Sequence, residues 1–225
     1  MRDLIVAFIL LTSFTSCKIA HSLIELNREY VKVYTYTTGE KEIKYIPMHH
    51  LGKQMFYDDV RSTVLSFKQQ GYRVYYELVS TDFTTDSLLK DTIRRKARKL
   101  KGFNGTYQDN AEGTVLEKYV QQPSYDKLGI TASDLRADVN YLQLIQEWEK
   151  VNGEIVLDSS DINTPFSEKF AKGVSYTRKQ YNAIFINYRN NYLIQQIQSG
   201  SDTKILILYG AGHRKDFKKR LKDKF

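Results

Sequence analysis

Cysteine is nearly missing from this 225-residue chain. Cys17 is the single one, so an internal disulfide and a multi-thiolate metal site are both excluded. Proline is scarce as well, three residues against seventeen tyrosines, which points to much regular structure and few stiff loops. No internal repeat is visible, and no linker is rich in proline or serine. The apolar run LIVAFILL, residues 4–11, is too short to cross a bilayer as a helix. A mean hydropathy of -0.49 excludes a multi-span membrane protein. What is present is the composition of a globular protein, 41% hydrophobic and 27% charged, long enough for one domain with a real core. Lys and Arg number 34 against 26 Asp and Glu, a net charge of +8.

The short apolar run has a meaning of its own. Arg2 precedes it and the small polar stretch Thr12–Ser16 follows, the layout of a secretory signal. Phe14-Thr15-Ser16-Cys17 resembles a bacterial lipobox, with Phe14 where leucine is usual. Residues 1–16 are therefore expected to be a removable signal peptide. Residues 17–225 form one domain, with Cys17 as the lipidation site and the cell envelope, outer membrane or periplasmic face, as the location.

Periodicity predicts an α/β fold. Tyr30–Tyr36 alternates, Thr38-Gly39-Glu40-Lys41 is a turn and Glu42–Met48 returns as a second strand, which reads as a hairpin. Phe56, Val60, Val64 and Phe67 recur at helical spacing over Met55–Gln70, with Gly71 as the stop. Tyr72–Val79 reads as the next strand, completing a βαβ unit that implies parallel pairing. A basic helix is expected over Asp86–Lys101. A further helix is predicted from an N-capping Ser133 to about Lys150, and a long one over Lys179–Gln198. Lys204–Tyr209 reads as a buried parallel strand, and a last helix starts near Lys215. The expected fold is a mixed central sheet with βαβ units flanked by helices, its helical middle forming a cap.

In such sheets sites gather at the carboxyl ends of strands. Three predicted ends carry ionisable groups: Met48-His49-His50, Glu77, and Gly210-Ala211-Gly212-His213. Imidazole and carboxylate suit a divalent transition metal; the same groups equally suit metal-free activation of water. Asp138, placed on the middle helix, is a weaker candidate for the site, and a solvated helix face explains it equally well. The basic runs Arg94–Lys101 and Arg214–Lys224 read as solvated faces. The net positive charge suits an anionic lipid or envelope polymer, and nucleic acid is not expected as a partner.

Pro47-Met48-His49-His50-Leu51-Gly52, Phe56-Tyr57-Asp58-Asp59-Val60, Tyr75-Tyr76-Glu77, Tyr188-Arg189-Asn190-Asn191-Tyr192 and Gly210-Ala211-Gly212-His213 together resemble the TraB/PrgY/GumN group. That group includes the Tiki metalloproteases and is distantly similar to the erythromycin esterase and ChaN-like folds. Its pattern is Gly-X-X-His, a strand-ending glutamate, Arg-Asn or Arg-Asp on a late helix, and a second Gly-X-X-His. Here Pro47 stands where the first glycine is usual, which leaves His49 and His50 both open; the spacing to Phe56-Tyr57 favours His50. The resemblance implies His50, Glu77 and His213 as ligands of a divalent metal (Mn, Co or Zn). It implies Glu77, Arg189 and Asn190 as the catalytic set of a hydrolase, a peptidase among the candidates, acting on a peptide or small ester. A metal-free His/Glu hydrolase and a non-catalytic peptide- or signal-binding protein on the same scaffold are the alternatives.

Overall fold

The computed structural model describes residues 26–102, 116–168 and 173–224. The signal segment and Cys17 lie outside the described residues, as does most of the loop expected over Gly102–Gly113. The predicted hairpin is present as β1 (Tyr34–Thr38) and β2 (Lys41–Met48), with Thr38 opposite Lys41. The two-residue turn between them needs a left-handed residue, and Gly39 supplies it at φ 54°. β1 begins at Tyr34, opposite Tyr45, so Pro47 sits where β2 has no neighbour on that side and a proline is tolerated.

A short β3 (Leu51–Gly52) leads into α1 (Gln54–Gln69), whose buried face is Phe56, Tyr57, Val60 and Val64. β4 (Arg73–Tyr76) follows, then α2 (Ser87–Lys101), started by the Asp86 carboxylate accepting from the N–H groups of Leu88 and Leu89. β5 (Val120–Gln121) pairs only with β3, and β6 (Leu135–Arg136) is equally short. The remaining helices are α3 (Tyr141–Asn152), α4 (Ser159–Asn163), α5 (Arg178–Tyr181) and α6 (Arg189–Ser199). A π-helical stretch, Asn182–Tyr188, joins α5 to α6. β7 (Lys204–Gly210) and α7 (Arg214–Lys224) end the chain, separated by one 3₁₀ turn.

The sheet order is β1-β2-β7-β4-β6, with β1 antiparallel and the other four strands parallel. The fold is thus the expected mixed α/β sheet flanked by helices, with one correction. The strands of the βαβ unit, β2 and β4, run parallel but do not pair with each other, because β7 lies between them. The reason is in the sequence of β7: Ile205, Leu206, Ile207 and Leu208 are all completely buried. Each such side chain contributes roughly 1.5–3 kcal/mol on burial, which is realised in full only at the centre of a sheet covered on both faces.

One face packs Leu206, Leu208, Ile46 and Val74 against α1. The other packs Ile205, Ile207, Ile43 and Tyr75 against Leu193, Ile194 and Ile197 of α6 and Phe217 and Leu221 of α7. A third cluster joins Ile93, Ala97 and Leu100 of α2 to Leu144, Ile145 and Trp148 of α3 and Ile184 of the π stretch. It includes Val79 and Val139, which follow β4 and β6, so this helical cap is attached at the carboxyl edge of the sheet. Among the described residues no helix is long and apolar enough to cross a membrane.

The helix expected from Ser133 starts later. Asn140 is its N-cap, in a reciprocal pair with Gln143, and residues 135–136 are strand. The basic face of α2 is also not a solvated one. Arg98, 2% exposed, donates to the carbonyls of Asp161, Thr164 and Pro165, and Lys99 pairs with the buried Asp161 carboxylate. Lys96 pairs with Glu149 at 2.6 Å. The guanidinium groups of Arg94, Arg95 and Arg98 lie 4.2, 5.0 and 5.0 Å from the centre of the Phe166 ring. These cations hold the 158–166 segment onto the cap, where anchored carbonyls and a π-face take the place of solvent.

A buried charge cluster at the carboxyl edge of the sheet

Four parallel strands end on the same edge, and each is followed by a polar residue. His49 and His50 follow β2, Glu77 follows β4, Asp138 comes two residues after β6, and His213 comes three after β7. Arg189 enters from above, as the first residue of α6 directly after the π stretch. A π-helical insertion rotates the residues that follow it relative to those before, and such insertions are frequent at functional sites.

Arg189 is the centre of the cluster. Its Nη2 donates to Glu77 Oε1 at 2.6 Å and to Asp138 Oδ2 at 2.6 Å. Its Nε donates to Asp138 Oδ1 at 3.0 Å, and Nη1 lies 3.3 Å from His213 Nε2. A guanidinium has five N–H donors; these contacts engage four and leave one on Nη1. Asp138 is completely buried and Arg189 only 7% exposed. Asp138 is therefore no part of a helix face. It stands between Ala137 and Val139, both completely buried, and a carboxylate between two apolar residues was the sequence signal for its burial.

Glu77 keeps its second oxygen on the backbone. Oε2 accepts from the N–H of Gly210 at 2.5 Å. A Cβ at Gly210 would meet that oxygen at 3.0 Å, so the absent side chain is what allows the approach. The Tyr125 hydroxyl donates to the Glu77 carbonyl, and the Tyr45 hydroxyl donates to the Gly210 carbonyl at 3.0 Å. Burial raises the Glu77 carboxyl, but Arg189, His213 and the Gly210 N–H outweigh it and hold it at about 2. Burial pushes Asp138 above the usual carboxylate range, with Arg189 pulling the other way.

The tautomer of His213 follows from its neighbour. Asn190 Nδ2 faces two acceptors, the His213 carbonyl at 3.0 Å and Asp216 Oδ2 at 2.9 Å. The amide nitrogen must therefore be on that side, and Oδ1 must face His213 Nδ1, 2.9 Å away. His213 donates from Nδ1, and the lone pair of Nε2 is turned to Arg189. Burial lowers His213 to about 4, Glu77 opposing and Arg189 assisting, so the ring is neutral at pH 7. Asp216 is itself held by Arg220.

The structure brings Glu77, Arg189, Asn190 and His213 into one hydrogen-bonded set. His50, just after β2, is lowered from its ordinary value chiefly by burial, with Glu77 opposing and Arg189 assisting, and its charge acts in turn on Glu77 and His213. His49 is half-buried, with its ring 5.5 Å from that of Phe56.

Two of the expected ligands, Glu77 and His213, are engaged by Arg189 as these residues lie. Both Glu77 oxygens and the His213 Nε2 lone pair face N–H donors, and Glu77 Oε1 and His213 Nε2 lie 3.7 Å apart with the Arg189 guanidinium beside them. Among the described residues no group of three or more His, Cys, Asp or Glu is arranged to hold a metal. Asp216 and Tyr125 are members of the network that sequence reasoning did not name, and Asp138, a weaker candidate there, is one of its central members. Together the sheet and cluster define a mixed α/β protein with a buried Arg–carboxylate–imidazole centre at its carboxyl edge. No family model, curated protein or solved structure matches the chain.

Proposed function

We propose that the chain is a hydrolase of small esters or peptides that works without a metal, its site at the carboxyl edge of the sheet. The observation that carries this reading is the engagement of both Glu77 and His213 by Arg189. The other imidazole of the edge is His50, lowered by burial and by the charge of Arg189 and so kept in the neutral form that a general base needs.

In this reading His50 takes a proton from water as the water oxygen adds to the substrate carbonyl carbon. The remaining Nη1–H of Arg189 stabilises the oxyanion that forms. Collapse of the tetrahedral intermediate breaks the bond to the leaving oxygen or nitrogen, which receives the proton from His50. Glu77, Asp138 and His213 hold the guanidinium in place and do not transfer protons, since Glu77 is too weak a base and the His213 lone pair is occupied.

The sheet order and the spacing of these residues support reading the fold as the erythromycin esterase/ChaN-like type, in the TraB/PrgY/GumN group. The signal-like start and Cys17 support a lipid-anchored location in the envelope. The metal-dependent course expected of that group requires Arg189 to leave both Glu77 and His213, at the cost of two buried ionic contacts. The test is hydrolysis of a panel of chromogenic esters and short peptides after exhaustive chelation. The reading expects turnover to persist. Turnover that returns only on adding Mn, Co or Zn overturns it.

A further inference from the structure

The opposite end of the sheet carries a second polar feature, independent of the centre described above. Between the tip of the β1–β2 hairpin and α7 lies a cavity of about 270 Å³. Tyr36, Thr38 and Gly39 line it from the hairpin, and Lys218, Leu221 and Lys222 line it from α7. Thr38 faces Lys41, the first residue of β2, so this cavity lies at the amino edge, away from Glu77 and His213.

Two facts about its lining are unexplained by the fold. The Tyr36 and Thr38 hydroxyls are both buried, and neither finds a hydrogen-bond partner among the described residues. Thr38 is only 7% exposed. Buried hydroxyls normally have partners. Lys218 and Lys222 are exposed, one helical turn apart, where like charges repel, and no carboxylate among the described residues pairs with either. α7 carries seven cations against two acids, and one of those acids, Asp216, is held by Arg220 and Asn190. Glu40, the acid of the hairpin turn, is not part of the lining.

We propose that this cavity binds a phosphate group. Lys218 and Lys222 neutralise its charge from α7, and the Tyr36 and Thr38 hydroxyls donate to its oxygens from the hairpin. Donors from two sides suit a tetrahedral oxyanion with several acceptor oxygens better than a planar carboxylate. The same chemistry is offered by a free phosphate compound and by a phospholipid headgroup.

The experiment uses the full chain, with inorganic phosphate as one probe and vesicles of phosphatidylcholine with or without phosphatidylglycerol as the other. Titration calorimetry is expected to show saturable phosphate binding that weakens at least tenfold in Thr38→Val and in Lys218→Ala/Lys222→Ala. Thr38→Val removes a hydroxyl that has no partner among the described residues, so its melting temperature is expected to stay at the parent value. Anionic-vesicle binding that inorganic phosphate displaces assigns the site to a headgroup. Phosphate binding without displacement of vesicles assigns it to a free ligand. Failure of both probes to bind overturns the proposal, as does binding that the lysine variant weakens and Thr38→Val leaves unchanged.

Discussion

His213 donates its Nδ1 proton to Asn190 Oδ1 across 2.9 Å, and that single contact sets which nitrogen of the ring faces the charge cluster. Asn190 is in turn fixed by the His213 carbonyl and Asp216. An Asn190→Asp change puts a carboxylate oxygen against both acceptors and an anion beside Nδ1. The His213 pKa is expected to rise clearly above about 4, and stability to fall by about 1–3 kcal/mol. An NMR titration of the imidazole checks this; an unshifted ring contradicts the assigned tautomer.

Arg189 neutralises two carboxylates, one of them completely buried. Arg189→Met leaves Glu77 and Asp138 without their shared cation, and breaking a buried pair in this way typically costs about 3–5 kcal/mol. The double variant Arg189→Met/Asp138→Asn is expected to recover part of that loss, because the second change removes one stranded charge. Denaturant midpoints measure both. A double variant no more stable than the single one shows that the pair is not coupled as described.

Stability is expected to fall with acid in a defined window. His213 is depressed from its ordinary 6.5 to about 4 and Glu77 from 4.5 to about 2. A depressed group contributes fully above its unfolded pKa and loses that contribution as pH falls through the folded value. Each contribution is of order 3 kcal/mol. Asp138, raised by burial, acts in the opposite sense. Urea midpoints are therefore expected to decline below about pH 6, where His213 starts to differ between the two states. His213→Gln is expected to flatten the curve between roughly pH 4 and 6.5. A parent curve level through that range refutes the neutral, buried ring.

The cap depends on Arg98, which binds three carbonyls of the 161–165 segment. Arg98→Met keeps the stem but removes every donor. Hydrogen exchange in residues 158–166 is expected to quicken by one to two orders of magnitude, about 1.4–3 kcal/mol of lost protection, while the β7 amides stay protected. Equal exchange in parent and variant marks the clamp as dispensable.

Much of this arrangement was legible in the residues themselves. The βαβ spacing, the apolar run of β7 and the Gly-X-Gly turn before His213 placed Glu77 and His213 on one edge, and the Arg189-Asn190 pair supplied the helix that reaches them. Two kinds of information were not local. Sheet order was one: β7 enters between β2 and β4 because its side chains are buried on both faces, and nothing in the βαβ spacing announces that. The other was the environment of charged residues. Asp138 follows a two-residue strand too short to show a period, so it read as a helix position. The cations of α2 read as solvated because their carbonyl partners lie some sixty residues further on. The π stretch before Arg189 was hidden because its apolar residues still satisfy a helical pattern.

The claim at the centre of this account is that His50 transfers the proton and no metal takes part. Steady-state turnover of one chromogenic ester, measured on chelated parent protein and chelated His50→Ala at matched folded fraction, tests it most directly. The account predicts an active parent and a loss of roughly 10²–10⁴-fold in the variant. An inactive chelated parent restored by a divalent ion, or a His50→Ala protein as active as its parent, would contradict it.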